Sequence, residues 1–491
     1  MEVSVASRGL PGFEIVGLPD KGVAESRDRV RTAMSSCNME FPAKKITVNL
    51  APADIPKEGS FYDLPIAVGI LVAEIRCEIP EKSLFFGELS LDGSLRHTRG
   101  AFLLALFAKE QGFKHLFLPK DSANEAAVIQ GIQVYPVEHL SQMILHLLKK
   151  KTIAPLSFQV RKEQEHMGAE FDMSEIFGQE QAKRAMEIAA AGGHNILLVG
   201  SPGAGKTMLA RAMPGILPQL AAEETLEITK IYSLAGNIPP GGSLVQTRQV
   251  RSPHHTASAV GIIGGGSKPH PGEISLAHRG VLFLDEFNEF PRHVIEALRQ
   301  PMEDGYLVIV RSKERVRYPA RFQLVASANP CPCGYLNHPK KSCVCSSQQV
   351  KKYQKRISGP ILDRIDLHVD VQPVDVEEFS ENQKASEFLE SSSQIRERVN
   401  KARSMQEKRF LKEPIYMNSE MKNIHIKMYC NLAKEVERIL QRGALRFQLS
   451  ARSYMKVIKI ARTIADLEES EGIAVSHVAE ALQYRPKLQD S

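Results

Sequence analysis

The chain has 491 residues, of which 43% are hydrophobic and 24% charged, the composition of an ordinary folded protein rather than a disordered or fibrous one. Its apolar stretch "AFLLALFA" at 101–108 is far shorter than the roughly 20 residues that cross a bilayer, and no secretory signal is visible at the N-terminus. The net charge of +6 permits nucleic-acid binding without requiring it. We therefore expect a cytoplasmic protein of about three domains with no membrane segment.

Two polar stretches, 149–172 and 373–393, have little apolar periodicity and are interpreted as linkers. The first block, 1–150, alternates strand-like runs such as "KITVNLA" and "HLFLP" with helical runs such as "DLPIAVGILVAE", which is an α/β pattern. In the central block, 170–375, the apolar runs "NILLVG", "GVLFLDE" and "FQLVASAN" are continuous, as in parallel strands that are buried on both faces. The last block, 390–491, is helical throughout. The sequence thus predicts an α/β protein with a helical C-terminal domain.

The segment "NILLVGSPGAGKTMLARAM" places a glycine-rich loop between a predicted strand and a predicted helix. The spacing Gly-x4-Gly-Lys-Thr in this context predicts a phosphate-binding loop, because the glycines let backbone N–H groups surround phosphate oxygens at a helix N-terminus. Lys206 is then expected to reach the β- and γ-phosphates of ATP, and the Thr207 hydroxyl to ligate Mg²⁺. The predicted nucleotide-binding residues are Gly200, Ser201, Pro202, Gly203, Ala204, Gly205, Lys206 and Thr207.

Polar side chains follow the next apolar strands. "GVLFLDEF" ends in Asp285 and Glu286, which we expect to hold the magnesium water shell and to polarise the attacking water, respectively. "FQLVASAN" ends in Asn329, whose neutral amide can position that water without adding charge. Further along the chain, Arg364 lies on a segment that would face a neighbouring subunit. Arg452 opens a helix of the C-terminal block, from which it could reach the phosphates as part of a lid.

Four of the seven cysteines lie in "NPCPCGYLNHPKKSCVC", as Cys331, Cys333, Cys343 and Cys345. Disulfides are not expected in a cytoplasmic protein, whereas four thiolates satisfy the tetrahedral preference of a structural zinc ion. The C-x-C pairs are tighter than the usual C-x2-C spacing, so four reduced thiols in a loop remain the alternative. A zinc ion here would stiffen the segment that follows Asn329.

The order of these motifs resembles that of the AAA+ ATPases. Two long segments, "RSPHHTASAVGIIGGGSKPHPGEISLAHRGVLFLDE" and "LRQPMEDGYLVIVRS", are similar to the magnesium-chelatase-like ComM (YifB) family, and the similarity extends over almost the whole chain. The resemblance implies an N-terminal ribosomal-S5/Lon-protease-like domain, an AAA+ P-loop core and a C-terminal helical lid. It also implies a homo-hexamer that hydrolyses ATP with Mg²⁺ and acts on single-stranded or branched DNA, as a helicase that promotes branch migration during natural transformation.

The same resemblance assigns roles to single residues. Arg364 would be the arginine finger that acts in trans, Arg452 the second sensor, and Ile176 and Gln179 would lie by the adenine. The segment "YLVIVRSKERVRYPA" at 306–320 predicts a β-hairpin with a basic tip, which in the related branch points into the pore of the hexamer. The predicted DNA-binding residues, able to track a phosphate backbone without reading sequence, are Arg311, Lys313, Arg315 and Arg317.

Two other functions compete with this one. A Lon-type peptidase needs a serine nucleophile and a lysine base, but Asp63 and Phe102 occupy the corresponding positions and Ser60 is offset. We therefore expect no peptidase activity. The ATPase motor of a metal chelatase remains an alternative, and it would need a large partner subunit. Family members usually carry further residues at the N-terminus, so we expect that the first sheet could lack an edge strand.

Overall fold

The computed structural model describes residues 1–6, 10–75, 77–157, 169–238, 244–266, 269–310, 315–373 and 389–486. The chain divides into two compact units, residues 1–163 with 225–245 and residues 164–224 with 246–491. The undescribed segments 158–168 and 374–388 lie within the two predicted linkers. Both units combine helices and strands, so the predicted α/β class is confirmed.

The first unit contains two three-stranded sheets and a short hairpin of Glu88–Leu89 with Leu95–Arg96. The mixed sheet has the order Glu2–Val5, Lys45–Asn49, Gly12–Val16. The parallel sheet has the order Ser83–Phe85, His115–Pro119, Gln133–Val137. The helices of this unit are Lys21–Ser36, Asp63–Ile75, Ala101–Glu110, Lys120–Ala126 and Leu140–Leu147, with most of Ala222–Ala235. The strand-like and helical runs quoted from this block all form the predicted elements.

The buried carboxylate of Asp63 links two helices and the hairpin of this unit. Asp63 has no solvent exposure and accepts hydrogen bonds from Arg29 Nε (2.7 Å), Arg29 Nη2 (3.0 Å) and the backbone N–H of Leu89 (3.1 Å). Ser60 donates a hydrogen bond to Glu88, and Phe102 is buried among apolar side chains. Asp63 therefore has a structural role, and these positions do not form the serine–lysine pair of a Lon-type peptidase.

The second unit is built on a five-stranded sheet in which all strands are parallel. Its order is Val250–Arg251, Val281–Leu284, Gln323–Ala328, Ile196–Gly200, Leu367–Val371. Every residue of Val281–Leu284 and Gln323–Ala328 is buried, which explains why their sequences are continuous apolar runs. Because the strands are parallel, their last residues all meet at one border of the sheet, the carboxyl edge, and their first residues at the opposite border, the amino edge.

Helices surround this sheet and make up the described C-terminal residues 389–486. The longer helices are Glu180–Gly192, Lys206–Ile216, Ser347–Gln354, Ser392–Arg409, Lys434–Arg446, Ala451–Leu467 and Val475–Gln483. The shorter ones are Met173–Glu175, Ala259–Ile263, Glu273–Leu276, Phe287–Glu289, Arg292–Ala297, Arg299–Asp304, Gly359–Leu362, Asn418–Glu420 and Asn423–Tyr429. Two hairpins complete the unit, Gly264–Gly265 with His270–Pro271 and Tyr306–Val310 with Arg315–Pro319. Among the described residues, no helix has the length and hydropathy needed to cross a membrane.

Buried hydrogen bonds attach the C-terminal helices to the helix Glu180–Gly192. Arg403 Nη2 donates to Ala190 O (2.9 Å), and Gln406 Nε2 donates to Ala191 O (3.0 Å). The last carbonyls of a helix have no partners within it, so these side chains satisfy groups that would otherwise be buried without a hydrogen bond. Each such group costs about 1–3 kcal/mol when it is left unpaired. The C-terminal helices and the sheet are therefore held together as one packed structure.

Candidate active site

The predicted phosphate loop lies at the carboxyl edge of the sheet, between the strand Ile196–Gly200 and the helix Lys206–Ile216. Gly203 and Gly205 have φ angles of 81° and 87°, in the left-handed region that glycine enters at low cost. The loop can therefore curl directly into the first turn of the helix. N–H groups of a loop and helix N-terminus in this arrangement form a site for phosphate.

The Lys206 ammonium contacts three oxygens at this edge. It donates to Gly200 O (2.6 Å), to Ser201 O (2.9 Å) and to Asn329 Oδ1 (3.2 Å). Burial lowers the pKa of Lys206, and the carboxylate of Asp285 opposes that shift. All three acceptors are neutral, so the charge of Lys206 stays available to phosphate. The structure thus brings Asn329, which follows the strand Gln323–Ala328, into direct contact with the loop lysine.

Asp285 is oriented by two hydroxyl groups. Thr207 Oγ1 donates to Asp285 Oδ2 over 2.9 Å, and Ser327 Oγ donates to Asp285 Oδ1. A hydroxyl and a carboxylate side by side are oxygen ligands of the kind that Mg²⁺ prefers. The predicted pair Thr207 and Asp285 therefore fits a magnesium ion. Ser327, which sequence reasoning missed, could have been suspected only from its place near the end of the same strand as Asn329.

Glu286 has a half-exposed carboxylate beside this pair. Its backbone is left-handed (φ 52°), and its N–H donates to Asp285 Oδ1 (3.0 Å) and Ser327 Oγ (3.2 Å). Its Oε2 atom lies 3.4 Å from Nδ1 of His255, another residue that sequence reasoning did not select. His255 could have been selected from the sequence only because it belongs to the histidine pair in "RSPHHTAS". Glu286 is thus accessible to water, with the imidazole of His255 beside it.

The two residues predicted near the adenine precede the helix Glu180–Gly192. Gln179 has a φ angle of 61° and donates from Nε2 to Ala204 O of the phosphate loop (3.3 Å) and to Gln372 O. Ile176 is 4% exposed and belongs to the apolar core. Gln179 therefore contacts the loop directly, whereas Ile176 lies in the packed layer beside it.

Arg364 and Arg452 lie at the amino edge, on the side of the sheet opposite the phosphate loop. Leu367–Val371 is paired with Ile196–Gly200 residue for residue, and five residues at about 3.3 Å each span roughly 16 Å. Arg364 precedes the first of these strands, and Arg452 Nη2 lies 2.6 Å from Glu303 Oε1, while Arg364 binds Glu303 Oε2. Arg452 therefore lies far from the phosphate loop of its own chain, and its predicted contact with ATP phosphates stays a prediction.

Glu303 is the unpredicted residue that brings the two arginines together. It lies in the helix Arg299–Asp304, and the hydrogen bond from Arg364 is the main cause that lowers its pKa. A cavity of about 1370 Å³ opens beside it, and Arg364, Arg452 and Lys456 are among its lining residues. In the sequence, Glu303 is marked only by the acidic end of the segment "LRQPMED". The amino edge is thus rich in basic side chains, several of which are paired with carboxylates.

The predicted basic hairpin forms, with Tyr306–Val310 antiparallel to Arg315–Pro319. Arg315 and Arg317 are exposed on the second strand. The hairpin follows the helix that carries Glu303 and precedes the strand that ends before Asn329. The two other predicted DNA-binding residues lie outside the described residues: Arg311 and Lys313.

The four clustered cysteines converge in space. The Cys331 sulfur lies 3.4 Å from that of Cys333 and 3.7 Å from that of Cys343, and the sulfurs of Cys333 and Cys343 are 3.6 Å apart. With Cys345 included, all four sulfur atoms lie within 4.8 Å of one another. All four are free thiols. The tight C-x-C spacing therefore does not prevent the four sulfurs from meeting.

These features together define a class of protein. A parallel sheet with a phosphate loop, an Asp–Glu pair and an asparagine at one edge, and paired arginines at the other, is the arrangement of a P-loop ATPase of the AAA+ class. Family descriptions agree: "Magnesium chelatase, subunit ChlI" matches residues 172–379, "Subunit ChlI of Mg-chelatase" residues 1–122, and "Magnesium chelatase, subunit ChlI C-terminal" residues 389–485.

Individual relatives narrow the assignment. The competence protein ComM of Haemophilus influenzae is 42% identical over 484 residues, which cover 98% of this chain and 93% of that protein. YifB of Escherichia coli is 42% identical over 485 residues, covering 98% and 92%. The magnesium-chelatase 38 kDa subunit of Rhodobacter capsulatus is 31% identical over 178 residues, covering 33% and 50%. The chain belongs to the magnesium-chelatase-like ComM family of AAA+ ATPases.

Proposed function

We propose that this chain is an ATP-driven motor that assembles into a homo-hexameric ring, binds single-stranded or branched DNA in the cytoplasm, and promotes branch migration during homologous recombination of incoming DNA. The observation that carries the proposal is the position of the basic hairpin. The hairpin is preceded in the chain by the helix that carries Glu303, and Glu303 binds the two arginines of the amino edge. It is followed by the strand that ends before Asn329, and Asn329 contacts Lys206. In the proposed motor, a change at either of these two places would move the hairpin through its continuous backbone.

Hydrolysis of ATP follows from the groups at the carboxyl edge. Thr207 and Asp285 would hold Mg²⁺, which when bound supplies positive charge to the triphosphate. Lys206 places a second positive charge where negative charge develops in the transition state. Glu286, half exposed at the end of its strand, accepts the proton of the attacking water, and Asn329 orients that water through its amide.

The ring follows from the arginines. Because Arg364 and Arg452 lie at the amino edge, they can act only on an ATP that another chain presents. An interface in which the amino edge of one chain meets the carboxyl edge of the next is heterologous, and such interfaces generate a closed ring when the rotation between neighbours closes. Two arginines from the neighbour would then stabilise the charge on the γ-phosphate. The number six rests on the resemblance to the ComM family.

The DNA partner is supported by the charge of the hairpin. Arg315 and Arg317 are exposed, and two further basic residues, Arg311 and Lys313, precede them in the sequence. Arg317 lies 3.5 Å from the ring centre of Tyr306, so its guanidinium is held against the hairpin by a cation–π contact. Basic side chains repeated around a ring bind a phosphate backbone without reading its sequence. The competence protein ComM, a relative, carries a name that agrees with a role on incoming DNA.

The flanking parts are assigned by the same proposal. Residues 1–150 would adopt a ribosomal-S5/Lon-protease-like fold without peptidase activity, because the position of the serine nucleophile is occupied by Asp63, which is bound to Arg29. Residues 390–491 would form the helical lid of the ATPase core at 170–375. Zinc, the second metal ion proposed for this chain, would be bound by the cysteine cluster.

The ATPase motor of a metal chelatase is the second candidate. It is favoured by the descriptions of the matching families and by the similarity to the 38 kDa chelatase subunit. Such a motor would hydrolyse ATP without any response to DNA. The response of ATP hydrolysis to DNA therefore distinguishes the two candidates.

The deciding experiment compares ATP hydrolysis without DNA and with single-stranded, duplex and branched DNA. We expect stimulation by DNA in the wild type, with affinity that falls steeply as salt rises. The double variant Lys313→Ala with Arg315→Ala should keep its basal ATPase but lose DNA stimulation and branch migration. The matched control Arg438→Ala with Arg442→Ala removes the same charge from exposed positions of the helix Lys434–Arg446 and should leave stimulation unchanged. If none of the three DNAs changes the rate of ATP hydrolysis by the wild type, the result favours the chelatase candidate.

A further inference from the structure

The cysteine cluster has the dimensions of a zinc site. Four sulfurs at 2.3 Å from a tetrahedral zinc ion are about 3.8 Å from one another. The three sulfur–sulfur separations among Cys331, Cys333 and Cys343 are 3.4, 3.6 and 3.7 Å. A disulfide would instead bring two sulfurs to about 2.05 Å. The spacing thus matches the edges of a metal-centred tetrahedron and is far from that of a bonded pair.

Backbone N–H groups of the same loop point at the sulfur atoms. Those of Tyr335 and Val344 donate to Cys333, that of Cys345 donates to Cys343, and that of Cys333 donates to Cys345. Hydrogen bonds from amides to sulfur stabilise thiolates, and an outer shell of this kind is characteristic of metal ligands. The loop therefore provides both the ligands and their surroundings.

The cluster also touches the ATP site at two places. Asn329, which accepts the hydrogen bond from Lys206, is separated from the buried Cys331 by one residue. Gly334, between the first two cysteines and the second two, has a φ angle of 81°, and a Cβ atom on it would lie 2.5 Å from Cδ of Pro202 in the phosphate loop. The backbone at Gly334 is thus packed directly against that loop.

We propose that Cys331, Cys333, Cys343 and Cys345 bind one structural zinc ion that keeps the phosphate loop in its nucleotide-binding shape. The ion closes the segment between the two contacts, so that Gly334 presses on Pro202 while Asn329 stays within reach of Lys206. Without the ion, no cross-link within the loop would hold Gly334 against Pro202. This inference rests on the proposed ATP site, but the metal itself can be measured independently.

The test measures zinc content and nucleotide binding separately, on the full chain purified without chelators. We expect about one zinc ion per chain in the wild type and in the control Cys77→Ser, which removes a cysteine outside the cluster, and much less in Cys343→Ser. Binding of a fluorescent ATP analogue should weaken about tenfold in Cys343→Ser. Should Cys343→Ser fail to fold, wild type stripped of metal by a chelator should show the same loss, and added zinc should reverse it.

The variant Gly334→Ala tests the contact between Gly334 and the phosphate loop without removing the zinc ion. The new methyl group would collide with Pro202 and require an unfavourable backbone angle, so nucleotide binding should weaken while zinc content stays at the wild-type level. Wild-type protein without zinc, or stripped protein with unchanged affinity for the analogue, would overturn the proposal. Protein that holds zinc but never binds the analogue would support the metal site and overturn the ATP site, and with it the link between them.

Discussion

Replacing Arg364 with alanine tests whether the arginines of the amino edge serve a neighbouring chain. In its own chain, Arg364 is separated from the phosphate loop by the paired strands Leu367–Val371 and Ile196–Gly200, which span roughly 16 Å. This distance exceeds the length of an arginine side chain. Arg364→Ala should therefore leave ATP binding intact, because the residue touches no part of the nucleotide site of the same chain. It should remove only the positive charge that Arg364 supplies to the ATP of the next chain.

The size of the effect can be worked out. An arginine finger contributes about 10³–10⁵ to turnover, which corresponds to about 4–7 kcal/mol of transition-state stabilisation. A pure Arg364→Ala protein should thus be nearly inactive. In an equal mixture with Lys206→Ala, a competent site needs Lys206 from one chain and Arg364 from the next. Roughly one quarter of the interfaces in a randomly mixed head-to-tail ring contain both, so the mixture should regain at most that fraction of wild-type turnover.

The assay is steady-state phosphate release at constant total protein over a series of mixing ratios, with a maximum expected at equal amounts. Lys206→Ala mixed with Glu286→Gln provides the control, because both groups belong to the same half of the site and no interface can restore them. Absence of rescue by Arg364→Ala at every ratio, or near-normal turnover of the unmixed variant, would refute the reasoning.

Three further predictions concern single residues. Glu286→Gln should bind ATP normally but hydrolyse it at least about 100-fold more slowly, and turnover close to wild type in phosphate release would exclude it as the base. Arg452→Ala should also be rescued by Lys206→Ala, since Arg452 shares Glu303 with Arg364; a mixture without activity would place its action within one chain. Burial lowers the pKa of His194 to about 4, so the unfolded chain binds a proton that the folded chain does not. The free energy of unfolding should therefore fall by about 2 kcal/mol between pH 7 and pH 5 through this residue alone, and His194→Gln should remove that part of the pH dependence in denaturant titrations.

Much of the ATP site could be predicted because its parts are local. Lys206, Asp285 and Asn329 each follow an apolar strand, and parallel strands end at the same edge, so identifying the strands already places the three residues together. The cysteine cluster is local in the same sense, since its members lie within one loop.

What could not be predicted depends on contacts between distant segments. Glu303 meets Arg364 across 61 residues and Arg452 across 149, and nothing in "LRQPMEDG" marks it as their partner. The start of the helix at Arg452 was visible in the sequence, but the direction in which that helix leaves the core was not. That direction decides which phosphates Arg452 can serve. Gly334 looks like an ordinary turn glycine until Pro202 is seen against it.

The hydrogen bonds from Arg403 and Gln406 to the end of the helix Glu180–Gly192 bear on how force is generated. Swinging the C-terminal helices away from the sheet would break both bonds inside the protein, where no water replaces them. We therefore expect the C-terminal helices and the helix Glu180–Gly192 to move together as one rigid body. In the proposed ring, the motions of the ATP cycle would then occur at the interfaces between chains, where the arginines of one chain meet the nucleotide of the next.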